Sequence, residues 1–155
     1  MAITPNTTFT AGDILTADQM NRLPWGVMGY GSATSNQTGI STVADVTGLT
    51  ATFTANSTRY YRTTVYVANL VQITSNGYAT LTITDGSNNQ KQAGTMYKVV
   101  ANGNGEAPMA IVLIETGLSG STTRKARLAT SAGTVETRAS SSQPALIVIE
   151  DIGKA

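Results

Sequence analysis

The sequence predicts an all-β chain: an antiparallel β-sandwich or jelly-roll-like domain over residues 25–155, preceded by an extended N-terminal arm and one short helix within residues 1–24. Three observations carry this. Charged residues make up only 12% of the chain, and Thr, Ser, Asn and Gln fill most polar positions in their place; Thr is β-branched and suits a half-solvated pleat. Apolar and polar residues alternate with a period of two in several stretches. Turn-forming pairs recur about every ten residues, the spacing of short strands in a sandwich.

The elements follow in order. Residues 1–10 are polar and Thr-rich, with Pro5 and no periodicity, and read as an arm. Thr16 is a natural N-cap, and Gln19 three residues on completes a capping box; Leu15 and Met20 can form the accompanying hydrophobic staple. Pro24 ends this helix at Leu23. A helix this short is unstable alone and has to pack on something. Weak strands are predicted at 26–33 and 49–55. Over 59–73, Tyr61, Val65, Val67 and Val71 share one parity while Tyr60, Arg62, Thr64 and Tyr66 share the other, which marks a half-buried strand. Asn76-Gly77 predicts a hairpin into a strand over 78–84, which Asp85-Gly86 closes. Further strands are expected at 95–101, 108–115, 122–129, 134–139 and 145–150, with Pro108 and Pro144 at strand starts, where a missing N–H does little harm.

At 155 residues the chain favours one domain. It has no cysteine, so disulfides and thiolate metal sites are excluded, and a net charge of +1 provides no field for non-specific nucleic-acid binding. The N-terminal residues lack the basic and apolar regions of a signal peptide. The longest apolar run, 145–149, is far below the roughly 20 residues of a spanning helix, so no membrane insertion is expected.

Residues able to carry catalysis are scarce. There is no histidine, and no serine has a Gly-x-Ser-x-Gly setting. Glu150 and Asp151 are adjacent and point to opposite faces of a strand, although a cross-strand pair of Glu115 with Glu150 stays open. The loop Asp85-Gly86-Ser87-Asn88-Asn89 has one carboxylate where calcium sites use several, and reads as a hairpin loop. Arg124-Lys125-Ala126-Arg127, the one basic cluster, reads as a charged edge strand, with an inter-subunit salt bridge as the alternative. Tyr30, Tyr60 and Tyr97 are candidates for stacking on glycans or for an interface, with core packing as the plainer role. No catalytic residue, cofactor or metal site is predicted, and the chain is expected to be no enzyme.

Phe9-Thr10-Ala11-Gly12-Asp13-Ile14-Leu15-Thr16-Ala17-Asp18-Gln19-Met20-Asn21 resembles the opening of many tailed-phage virion proteins, in which such a stretch precedes the main domain. Pro24-Trp25-Gly26-Val27-Met28-Gly29-Tyr30, the strand beginning Arg59-Tyr60-Tyr61-Arg62, and the close from Pro144 through Glu150-Asp151-Ile152-Gly153 extend the likeness. It is to small minor tail or fibre-type proteins, particularly of phages infecting actinobacteria. The resemblance implies a virion structural protein made in the host cytoplasm and anchored through residues 1–24, with Phe9, Ile14, Leu15, Met20, Leu23 and Trp25 as assembly residues. It also implies partnership with other virion proteins and with further copies of the chain, a trimer being the best match. The fibre-type proteins often continue into longer shafts, so a capsid decoration or head-fibre role stands beside the tail role. A carbohydrate-binding module that contacts host glycans is the reading from another class.

Overall fold

A computed structural model describes residue 14 and residues 17–73, 77–97 and 105–155. Within them the chain forms helix α1 (Ala17–Arg22) and ten strands: β1 (Gly26–Ala33), β2 (Gln37–Ile40), β3 (Ala44–Ala55), β4 (Arg59–Gln72), β5 (Tyr78–Asp85), β6 (Gln90–Tyr97), β7 (Gly105–Glu115), β8 (Gly120–Thr130), β9 (Val135–Arg138) and β10 (Ala145–Lys154). The predicted β-sandwich is what they build.

Every strand pairing is antiparallel, and the strands fall into two sheets. Sheet A centres on β4. One edge of β4 pairs with β10 along residues 59–66 and with β9 along 69–72, and the other edge carries β7. Beyond β10 lies β1, and beyond β9 lies β2. Sheet B runs β3-β8-β5-β6. The inward parity of each strand fills the space between the sheets: Tyr61, Val65 and Val67 from β4, Ile147 and Ile149 from β10, Leu81 and Ile83 from β5, Ala126 and Leu128 from β8, and Phe53 from β3. Phe53 and Tyr61 meet across the sheets with ring centroids 4.9 Å apart, a tilted pairing of the kind aromatic quadrupoles favour.

Glycine lets the sheets approach at their margins. A Cβ on Gly31 of β1 would lie 2.6 Å from the Gly48 carbonyl oxygen of β3, and one on Gly48 would lie 2.4 Å from the Ser32 carbonyl oxygen. Here β3 is irregular: its register against β8 jumps between Asp45 and Thr50, and Gly48 has φ +83°. At the opposite margin a Cβ on Gly94 of β6 would lie 2.7 Å from Ile111 of β7.

Several predicted bounds change. The strand expected to begin at 95 begins at Gln90 and is described as far as Tyr97. Its first half is Gln90-Lys91-Gln92 on an exposed edge, where no buried face imposes alternation. β2 escaped prediction because it is a four-residue edge strand with one buried residue, Ile40. β3 begins five residues before the predicted 49, in the bulged half where parity is broken. Pro108 lies inside β7 rather than at its start, at the register shift opposite Val67 and Leu70, a bulge where the missing N–H is tolerated. Asn76, Thr16, Leu15 and Phe9, and the side chain of Gln19, lie outside the described residues, as does the segment 98–101.

Gly48 and Gly117 both adopt positive φ, but open space surrounds Gly117. Gly117→Ala is therefore expected to cost about 1 kcal/mol of backbone strain, and Gly48→Ala about 3 kcal/mol or more once the carbonyl clash adds to it. Urea unfolding midpoints of the two variants check the ordering.

Candidate functional site

The site begins at the first residue of β4. Arg59 occupies the inward parity, and its side chain is held between the end of β10 and the end of α1. Its Nε donates to Asp151 Oδ2 at 2.7 Å, and Nη2 donates to Asp151 Oδ1. The remaining donors go to backbone: Nη1 to the Asn21 carbonyl and Nη2 to the Leu23 carbonyl at 2.6 Å. The Trp25 ring covers the guanidinium, with 4.3 Å from Cζ to the ring centroid. Arg59 is 2% exposed and Asp151 1%. Asp151 also accepts from the Gly153 N–H at 3.0 Å and from the Trp25 N–H at 3.4 Å.

A buried carboxylate survives only when its lone pairs are filled and a cation stands beside it. Burial alone would raise the pKa of Asp151. Its hydrogen bonds from Arg59, Gly153 and Trp25, with the Arg59 charge, outweigh that and hold it below the ordinary value. The Arg59 fork in turn takes up carbonyls at the C-terminal end of α1, which a helix leaves without intrahelical partners.

The clasp therefore grips α1 and the turn after it by their backbone. The apolar side chains of this segment do not enter the core: Ile14 is 91% exposed, Met20 50%, Leu23 47% and Trp25 52%. Four of the six predicted assembly residues thus lie at the surface, and Phe9 and Leu15 lie outside the described residues. Arg59 was not among the predicted site residues. Its signal was available: an arginine on the parity of Tyr61, Val65 and Val67 must be buried and must find a carboxylate.

A second pair closes the same end of the sandwich. Arg124 of β8, 3% exposed, meets Glu115 of β7 through two hydrogen bonds of 2.8 and 2.9 Å. Asp151, Tyr61 and Glu115 stand in one register row, so the two arginine–carboxylate pairs flank Tyr61. Glu150 and Arg62 are one residue out of that row, on the opposite face. The possible pairing of Glu115 with Glu150 is thereby overturned, because the two project to opposite sides of sheet A. The basic cluster is not on an edge strand either, since β8 lies between β3 and β5. Lys125 and Arg127 both reach Asp45 within the chain, at 2.9 and 2.7 Å. Led by the Lys125 hydrogen bond, they lower the pKa of Asp45.

The loop after β5 is filled by its own donors. Asp85 Oδ1 accepts from the Ser87 and Asn89 N–H groups, and Oδ2 accepts from the Asn89 amide, each at 2.9 Å. Those bonds, the Asn89 side chain foremost, hold this carboxyl well below the usual carboxylate range. Among the described residues no helix is long and apolar enough to cross a membrane.

The outward faces of the two sheets differ in chemistry. Sheet B presents a threonine and charge lattice: Thr52 beside Thr123, Thr50 beside Lys125, Thr80 beside Thr95. Sheet A presents register rows Val27–Glu150–Arg62–Ile114, Tyr30–Val148–Thr64–Val112 and Ser32–Leu146–Tyr66–Ala110. Tyr30 and Tyr60 share this face, but Tyr30 is level with Thr64, two strands over from β4. Strand spacings then put their Cα atoms roughly 15 Å apart, too far for adjacent stacking platforms. The side chain of Tyr97 lies outside the described residues.

Against known proteins, no family model matches the chain and no curated protein matches it. Among solved structures, the enzymatically active domain of bacteriophage CBA120 tailspike protein 4 is similar at 14% identity and a TM-score of 0.30, over 79% of this chain and 19% of that one. The chain thus spans about a fifth of the length of that domain. A Bacillus endospore appendage from a family of disulfide-linked pili is similar at 15% identity and a TM-score of 0.29, over 74% of this chain and 91% of that one. Both likenesses fall below the level of a shared fold.

Arg59→Leu strands Asp151 and is expected to cost about 3–5 kcal/mol. The double change Arg59→Leu, Asp151→Leu should recover much of that stability while freeing α1, read as trypsin cleavage after Arg22 at least ~10-fold faster than in the wild type. Because the folded pKa of Asp151 is depressed, its contribution is present above the ordinary 3.8 and is lost as pH falls below it. The unfolding free energy of Asp151→Asn should accordingly fall less steeply than that of the wild type between about pH 4 and pH 2.

Proposed function

We propose that this chain is a non-enzymatic structural component of a tailed-phage virion, a minor tail or fibre-type surface protein docked through residues 1–24. The observation that carries the reading is the way α1 is held. Its backbone is fixed to the sandwich by Arg59, while Ile14, Met20, Leu23 and Trp25 present apolar surface outward. A segment that contributed only to its own fold would bury those side chains and leave its backbone to solvent. This arrangement does the reverse and offers a neighbouring protein an apolar ridge in a fixed orientation. The motif running from Phe9 to Asn21 adds the virion context through its resemblance to the opening of phage virion proteins.

A capsid decoration or head-fibre protein would use the same ridge, and position on the particle separates the two. Immunogold labelling of intact particles with an antibody to residues 26–155 should place gold at the tail. Gold spread over the head would assign the decoration role, and unlabelled particles lacking the protein by immunoblot would overturn both.

Met20→Ser with Leu23→Ser alters only exposed side chains and should leave the unfolding midpoint within about 0.5 kcal/mol of wild type. The same pair should reduce the amount of protein in purified particles by at least ~10-fold, since two apolar anchors are lost from the docking surface. Quantitative immunoblots of particles, with cell lysate as the reference for expression, provide the measurement.

A further inference from the structure

The outward face of sheet A has the chemistry of an interior. Antiparallel sheets with one wet side put polar residues there, and sheet B does so with its threonine lattice. On sheet A the corresponding positions are Val27, Tyr30, Leu146, Val148, Tyr66, Ala110, Val112 and Ile114, with Ser32 and Thr64 among them. Val27, Tyr30 and Ile114 are 63%, 57% and 58% exposed. From strand spacing and rise, the three rows on β1, β10, β4 and β7 present a face of roughly 400 Å² in projection. That is as large as the largest apolar patch on an ordinary monomer.

The Arg62–Glu150 pair interrupts this face, and the Glu106–Arg138–Glu136 cluster bounds it toward β9. Arg62 Nε and Nη2 donate to Glu150 Oε2 at 3.0 and 2.8 Å, and both side chains are partly open, at 45% and 28%. Arginine and glutamate side by side make the patch self-complementary: a copy turned over onto it sets its own Glu150 against Arg62 and its Arg62 against Glu150. Two such faces cover about 800 Å² in projection, and the accessible area of the side chains standing on them is larger, which brings it to the size at which specific association begins. Sheet-on-sheet stacking of this kind also matches the chain's own interior.

We infer that the outward face of sheet A is where a second copy of this chain packs, with Arg62 and Glu150 forming ion pairs between copies. This deepens the structural reading above and rests on it only for the particle as the place where copies meet. A glycan is the weaker occupant, because most of the face is aliphatic, and its polar groups, Ser32, Thr64 and the Arg62–Glu150 pair, are spread over three rows around Tyr30 and Tyr66. A second copy satisfies both the aliphatic surface and the ion pair.

The full chain, monomer mass 16.1 kDa, is tested by sedimentation equilibrium across a concentration series. A mass of twice the monomer is expected at about 10 µM, because a self-complementary face closes on two copies. Tyr66→Lys with Val112→Lys should return it to monomer, while Thr52→Lys on sheet B leaves the assembly intact. Should the first pair fail to fold by circular dichroism, Val27→Lys with Ile114→Lys, both on edge strands, takes its place. Arg62→Glu should weaken association at least ~10-fold, and Arg62→Glu with Glu150→Arg should bring it back to within ~3-fold of wild type.

A wild-type chain that stays monomeric to about 1 mM overturns the proposal, as does an assembly indifferent to the sheet A lysines. A charge swap no tighter than the single reversal overturns the ion pairing between copies. Incorporation into particles is scored on the same variants. A monomer that still enters particles removes the pairing and keeps the virion reading; a chain that pairs but never enters them does the opposite.

Discussion

The pleat of β4 is the constraint on which the rest of this molecule depends. A strand has one parity for each face, so placing Tyr61, Val65 and Val67 inward also places Arg59 inward and Arg62 and Tyr66 outward. Because β4 is flanked by β10 and β9 on one edge and β7 on the other, its register carries sideways into the neighbouring strands. The core, the buried clasp and the exposed apolar rows are three consequences of that one alternation. A slip of one residue would put the arginine of the clasp in water and the tyrosines of the outer face in the core.

The clasp is better understood as a positioning device than as a source of stability. Removing Arg59 and Asp151 from water costs energy that their mutual attraction barely returns, and an apolar pair of similar volume would serve the core at least as well. What an apolar pair cannot do is recognise backbone. The guanidinium has donors to spare after it meets Asp151, and these fix the Asn21 and Leu23 carbonyls. A six-residue helix has too few hydrogen bonds to stand alone, and its own apolar side chains do not tie it down. The fork therefore determines where α1 lies and which way Met20 and Leu23 point.

Much of the fold was legible because long stretches of the core strands obey the period-two rule. β4 alternates up to Val67 and β5 along its length, and both were predicted nearly to their ends, whereas β10 was predicted to 150 and runs past a bulge after Asp151 to Lys154. What escaped are the places where something other than burial sets the residue type. β6 begins with polar residues on an outer edge, β2 is a single buried isoleucine with its neighbours, and the first half of β3 is bent around the crossing of β1 at Gly31 and Gly48. The helix was legible from Pro24 and the capping pattern, but its attachment was not. Arg59 and Asp151 are 92 positions apart, and no local pattern pairs them. The basic cluster misled for a related reason: charge on a strand suggests an edge, yet Arg124 is an interior residue that closes one end of the sandwich against Glu115.

The contrast between the two outer faces is the last step. Low overall charge makes the whole chain look uniformly suited to packing, but the threonines are not spread evenly. They are concentrated on sheet B, where side-chain hydroxyls pair with one another, as Thr52 does with Thr123 at 2.9 Å, and share that face with the Asp45, Lys125 and Arg127 charges. Sheet A is antiparallel like sheet B, yet valine, leucine, isoleucine and tyrosine stand on β1, β10, β4 and β7 around the Arg62–Glu150 pair, whose two charges complement each other. The contrast between the two sheets of one sandwich is the observation on which the proposed pairing of copies through sheet A rests.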